Sequence, residues 1–202
     1  MKVSCDGEGI ENASKIIHDG GIVIFPTDTV YGIGCDPYNK ESVKKIYDIK
    51  SRETSKPFPV LVFSKEVAEK IVSFDEFTKK IVEKFWPGPL TLILKLKDEN
   101  LKKSLNLNGK IAIRVPNHKC TLELLKKCNF LVGTSANLSG QKSFTNADEC
   151  FRNVQNFDIF IDGGIIQSEG ESTIIEIENE KINILREGSV SKEEILRIWI
   201  WL

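Results

Sequence analysis

The chain predicts an α/β fold with a mixed sheet and flanking helices, and three observations carry that prediction. Short apolar runs of strand length, at residues 22–25, 59–63 and 130–132, alternate with longer stretches whose apolar residues recur at helical spacing. Several strand-like runs follow one another with only a turn between them, so a purely parallel, regularly wound sheet is not expected. With 202 residues and 41% apolar side chains, the chain can bury a sizeable core as one domain spanning residues 1–202, without disulfides or metals.

Taken in order, Ile10, Ala13, Ile16 and Ile17 share one face of a first helix, and the buried strand 22–25 follows. Val43, Ile46, Tyr47 and Ile49 mark a second helix that ends near Lys50. A short strand over 59–63 precedes two helices, 67–72 and 74–85, the second broken by Pro87-Gly88-Pro89. Residues 90–96 and 111–115 have β character, 121–127 are helical, and 130–132 form another strand. A helix over 146–154 and strands at 159–161, 173–177 and 182–185 complete the sheet. Ser191 with Glu194 forms a capping box for a last helix, whose Ile195, Ile198, Trp199 and Leu202 would pack inward.

Composition excludes several classes. The net charge of −1 is not that of a dedicated nucleic-acid binder. Five cysteines, at 5, 35, 120, 128 and 150, show no CxxC, which favours reduced thiols in a cytoplasm over a zinc site. The first residues do not lead into a signal peptide, and no apolar run approaches the ~20 residues of a membrane span. There is no GxxxxGK[ST] loop, and Gly32-Ile33-Gly34 lacks the third glycine of a dinucleotide fingerprint. His18 and His118 have no triad or ligand partner nearby in sequence, so hydrolase chemistry is poorly supported.

Donors are what the chain does supply. Pro26 stops the strand 22–25, and Thr27, Asp28, Thr29, Tyr31 and two glycines crowd behind it. Lys50, Arg52 and Lys56 lie within seven residues, with Pro57 fixing the end of their turn. Alternation puts Arg114 on the face opposite Ile113 and Val115, where a charge needs either a buried acidic partner or a ligand. Residues 134–140, Thr-Ser-Ala-Asn-Leu-Ser-Gly, offer small hydroxyls beside bare backbone amides. Trp86-Pro87-Gly88-Pro89 reads as a rigid helix stop under the site.

In this order, the 25–36 segment, Lys50-Ser51-Arg52 with Lys56-Pro57, Trp86-Pro87-Gly88-Pro89-Leu90-Thr91, Ile113-Arg114-Val115-Pro116, the 134–140 segment, Ser172-Thr173 and Leu185-Arg186-Glu187-Gly188 resemble the YrdC-like family of threonylcarbamoyl-AMP synthases. The resemblance runs from about Gly20 to about Val190. It implies a twisted open mixed sheet with a large concave face, of the short, single-domain type.

The resemblance also implies residue roles. Lys50 meets the reacting groups, and Arg52, Lys56 and Arg186 hold nucleotide phosphates. Ser135 and Ser143 contact the nucleotide, Lys110 stands at a nucleotide-contact position where some relatives have a threonine, Asn137 organises its loop, and Thr29, Arg114, Gly133 and Ser172 contact threonine. Glu53 replaces the family's usual proline after the arginine, and Leu61 stands where some relatives carry a histidine. The implied reaction joins L-threonine, bicarbonate and ATP into threonylcarbamoyl-AMP and pyrophosphate, with Mg²⁺ held by the ATP phosphates rather than by a protein cage. The product would pass to a tRNA threonylcarbamoyl transferase complex, in the cytoplasm and away from membranes. Two alternatives are an RNA-binding module without catalysis, taking tRNA or double-stranded RNA, and a carbamoyltransferase-type domain.

Overall fold

The computed structural model describes residues 1–168, 170–178 and 181–197. In chain order these form β1 (Lys2–Ser4), α1 (Gly7–His18), β2 (Val23–Phe25), β3 (Gly32–Gly34), α2 (Lys40–Lys50), β4 (Val60–Val62), α3 (Lys65–Ile71), α4 (Glu76–Phe85), β5 (Leu90–Lys95), α5 (Glu99–Ser104), β6 (Lys110–Arg114), α6 (Lys119–Cys128), β7 (Phe130–Val132), β8 (Thr134–Ser135), α7 (Ala147–Asn153), β9 (Ile159–Asp162), β10 (Thr173–Glu178), β11 (Lys181–Arg186) and α8 (Lys192–Leu196).

The strands divide between two mixed sheets, with orders β1-β9-β2-β3-β8 and β11-β10-β5-β6-β4-β7. The expected mixed α/β architecture is present, and the division into two sheets is the refinement. β3 and β8 belong to segments that read as polar turns. Their strand character comes from antiparallel pairing of β3 with β2 and of Gly32 with Ser135, not from β-forming side chains. Gly34 is required in that ladder, because a Cβ there would lie 1.9 Å from the Val132 carbonyl oxygen.

Helix starts follow local chemistry. Asp6, Asn39, Ser64, Asp75, Asp98 and Asn146 each accept a backbone N–H as N-cap, and Ser191 with Glu194 closes the expected capping box. Ile195 is buried, whereas Ile198, Trp199 and Leu202 lie outside the described residues. α1 buries Ile10, Ala13 and Ile17 against β2, β9 and α6 in a second, smaller apolar cluster. The expectation of five reduced thiols is corrected there: Cys5, just before α1, is disulfide-bonded to Cys120 at the start of α6, with a Cα–Cα distance of 5.7 Å. The pair lies 115 residues apart, so only packing of α1 on α6 reveals it. Cys35, Cys128 and Cys150 remain free, and burial pushes the Cys128 and Cys150 thiols up to about 12.

Candidate active site

One face of the six-stranded sheet is built for a ligand and the other for the core. On β6, Lys110, Ala112 and Arg114 line a cleft while Ile111 and Ile113 are buried in the core, as strand alternation requires. Neighbouring strands repeat the division: Thr91 and Ile93 of β5, and Ile174 and Glu176 of β10, face the same cleft. The opposite walls come from the loop after β2, the turn after α2 and the loop after β8. The cavity holds about 940 Å³, within the range of small-molecule sites. Six cationic side chains line it (Lys50, Arg52, Lys56, Lys110, Arg114 and Arg186) against two carboxylates, Glu171 and Glu176. In a chain of net charge −1, that concentration marks a site for anions.

Arg114 is 5% exposed, and each of its three guanidinium nitrogens makes one hydrogen bond. Its Nε donates to the Gly88 carbonyl (2.9 Å), one terminal nitrogen to Thr29 Oγ1 (3.1 Å) and the other to Asp28 Oδ1 (2.6 Å). Of the two options left open for Arg114, the buried acidic partner therefore exists, and the side chain lines the cleft as well. Burial lowers its pKa, and Asp28 opposes that shift. The Trp86-Pro87-Gly88-Pro89 turn does more than stop a helix, since it supplies the Gly88 acceptor. Thr29 is oriented in turn. Thr27 Oγ1 donates to the Val30 carbonyl and accepts the Thr29 and Val30 amides, which leaves the Thr29 hydroxyl to donate to Thr27 and accept from Arg114.

Lys50 ends α2 and is 2% exposed. Its ammonium donates to the Ser135 carbonyl, the Asn137 carbonyl (2.7 Å) and Asn137 Oδ1 (3.2 Å), so three protons meet three acceptors. Burial pulls its pKa down to about 8, aided by Arg52 and opposed by Glu171. The lysine braces the 135–137 loop, and Asn137 completes the brace by donating to the Gln141 carbonyl. Arg52 lies further out, over the Phe58 ring at 5.2 Å, and donates to the Lys56 and Pro57 carbonyls. Lys56 is exposed and pairs with Glu53, the residue that replaces the expected proline.

At the third corner, Arg186 donates to the Ser172 carbonyl and hydroxyl and pairs with Glu171. Ser172 also shares a hydrogen bond with Thr91, 2.9 Å away. After burial, the Arg186 charge also lowers the pKa of both Arg52 and Arg114, which places the three guanidiniums in one electrostatic field.

The sequence-derived candidates Thr29, Lys50, Arg52, Lys56, Lys110, Arg114, Gly133, Ser135, Ser172 and Arg186 all line this cleft. Ser143 does not; its hydroxyl donates to Glu171 behind the wall. Gly133 makes its close approach to Leu61, whose side chain lies 2.4 Å from where a Cβ would stand. Tyr31 is not a wall residue: its hydroxyl is held at Gly163 and Gly164, and its ring stacks on Phe160. Lys110 is ion-paired with Glu176 (2.8 Å) and Glu178 (3.3 Å). Sequence reasoning missed Glu171, which carries no signal beyond standing beside Ser172, and left Asp28 without its role as partner of Arg114, 86 residues away.

The two-sheet α/β frame thus carries a cation-lined cleft of small-molecule size. A family model for Sua5, YciO and YrdC proteins, described as "Telomere recombination", matches residues 15–188, and the chain belongs to that family. It is 40% identical over 189 residues to a Methanocaldococcus jannaschii protein provisionally named a threonylcarbamoyl-AMP synthase, covering 93% of this chain and 89% of that one. It is 32% identical to the threonylcarbamoyl-AMP synthase of Bacillus subtilis, with 96% of this chain covered but only 57% of the relative. The structure of P. abyssi Sua5 complexed with L-threonine superposes with a TM-score of 0.91 at 30% identity, covering 98% of this chain and 60% of that one. E. coli YciO shares the fold (TM-score 0.85, 22% identity, 96% and 97% covered). Against the Bacillus and Pyrococcus proteins, the chain spans about three-fifths of their length.

Proposed function

We propose that the protein is an L-threonylcarbamoyladenylate synthase, a nucleotidyltransferase that joins L-threonine, bicarbonate and ATP into threonylcarbamoyl-AMP and pyrophosphate. The observation that carries this reading is the convergence of Arg52, Arg114 and Arg186 on one cleft. In this reading the amino acid lies at the Arg114 end, its carboxylate beside the guanidinium and its polar groups near Thr29 and Ser172. The free amine condenses with bicarbonate, forming the C–N bond and releasing one water, to give an N-carboxylate that a desolvated pocket shelters from hydrolysis. The carbamate oxygen attacks the α-phosphate of ATP and pyrophosphate leaves. Arg52, Lys56 and Arg186 offset the charge on the departing phosphates, while Lys50 and Asn137 hold the loop that presents Ser135. Lys110 and Ser143 act at the nucleotide's edge, the latter through Glu171.

Both cleft carboxylates are engaged, Glu171 with Arg186 and Glu176 with Lys110. That donor set fits Mg²⁺ arriving on ATP and held by phosphate and water. The adenylate would pass to a tRNA-modifying transferase complex in the cytoplasm. No helix among the described residues is long and apolar enough to cross a membrane. The Cys5–Cys120 bond is unusual for a reducing compartment, so thiol trapping in living cells tests the location. The activity itself is tested with purified protein, ATP, labelled bicarbonate and single amino acids. Labelled adenylate and pyrophosphate that depend on threonine support the reading; ATP left intact with every amino acid refutes it.

A further inference from the structure

Among the described residues, two buried side-chain atoms lack a hydrogen-bond partner: Asp28 Oδ2 and His118 Nδ1. Asp28 is bonded to Arg114, and His118 is the N-cap residue of the helix that follows the Arg114 strand. Asp28 spends Oδ1 on Arg114 and leaves Oδ2 unmet. His118 follows β6, four residues after Arg114, and stands at the N-cap of α6 without using its side chain as a cap. The first turn of α6 is tied to the Asp28 loop, because the Thr121 hydroxyl donates to the Pro26 carbonyl. Burial lowers the His118 pKa and the Asp28 charge opposes that shift, which favours the neutral imidazole within the field of that carboxylate.

A neutral imidazole carries one N–H and one lone pair. If the proton sits on Nδ1, His118 supplies the donor that Asp28 lacks. We propose that His118, in its Nδ1–H form, is a positioning residue that donates to Asp28 Oδ2 through one bridging water, and so fixes the carboxylate that aims Arg114 into the cleft. The inference rests on the reading that Arg114 grips the substrate carboxylate. It adds a third member, His118, to the Asp28–Arg114 pair, and it makes the effect specific to amino-acid binding.

The test compares three variants. His118→Ala should raise the threonine KM about tenfold, the scale of one lost hydrogen bond to a charged group, with the ATP KM unchanged. His118→Asn keeps an amide N–H near the Nδ1 position and should restore most of the affinity, whereas His118→Gln, which places it near Nε2, should not. An unchanged threonine KM, an equal rise in the ATP KM, or rescue by Gln as good as by Asn overturns the proposal. A second readout needs no turnover. The chain has two histidines, so ring ¹⁵N shifts, assigned with His18→Gln, report the His118 tautomer directly. Nδ1–H is expected and Nε2–H overturns the proposal. If the wild-type protein makes no adenylate, the synthase reading falls while the tautomer still decides this one.

Discussion

Arg114 and Arg52 line the same cleft and are prepared in opposite ways. Arg114 stands on a strand, buried, with all three guanidinium nitrogens bonded and its charge matched by Asp28 before any anion arrives. Arg52 stands in a turn over Phe58, bonded only to carbonyl oxygens, and makes no ion pair among the described residues. The difference teaches that rigidity and available charge are separate assets. A pre-paired arginine offers a fixed geometry for a small carboxylate, whereas an unpaired one keeps its net charge for a polyanion. The Arg114 end is thus part of the fold, and the Arg52 end is an attachment to it.

The first way to break this comparison is Arg114→Ala. It leaves Asp28 as an uncompensated buried charge, a defect that costs about 3–5 kcal/mol, so thermal unfolding should shift down strongly and activity vanish with it. Arg52→Ala comes next. Turnover should fall by roughly 10²–10³, the scale of removing one transition-state donor, while the unfolding midpoint stays near that of the wild type. Calorimetry beside adenylate assays separates the two. A destabilised Arg52 variant, or an Arg114 variant of native stability, would erase the distinction between fold and attachment.

The third prediction concerns Lys50. Its pKa in the fold, about 8, lies below the ordinary 10.5 because of burial. As pH rises through about 8 the ammonium loses a proton and one of its three acceptors loses its donor. ATP affinity, read by direct binding, should weaken from there upward. Stability should not follow: between the two values the unfolded chain binds more protons than the folded one, so this group's contribution to stability grows with pH. Affinity that stays flat to pH 9.5 would remove the Lys50 charge from nucleotide binding.

How much of this was legible in the sequence depends on what sets each element. The run 22–25, the alternation around Arg114 and the capping box at Ser191 are local, and the structure realises them as read. β1, β3 and β8 are strands because of their partners. β1 pairs with Phe160–Asp162, and nothing in Lys2–Ser4 announces it. α5 is six residues long, too short for helical periodicity to register, although Asp98 caps it. The cations could be chosen by motif, but their counter-ions could not. Asp28 and Glu171 reach Arg114 and Arg186 across 86 and 15 residues, and that pairing separates committed charge from free charge.

Salt gives the smallest and sharpest contrast between the two ends. Lys56 is 64% exposed, and ions screen such a charge over about 8 Å at physiological strength. Arg114 sits behind protein on every side but the cleft, so its hold on a carboxylate is screened far less. Raising salt from about 0.05 M to about 0.5 M, which shortens the screening length severalfold, should therefore raise the ATP KM a few-fold and leave the threonine KM nearly unchanged. Lys56→Ala should reduce the salt slope for ATP alone. If both constants climb in parallel, the Arg114 end is open to solvent in turnover. Its pairing with Asp28 would then serve stability, and selection of the carboxylate would lie elsewhere in the cleft.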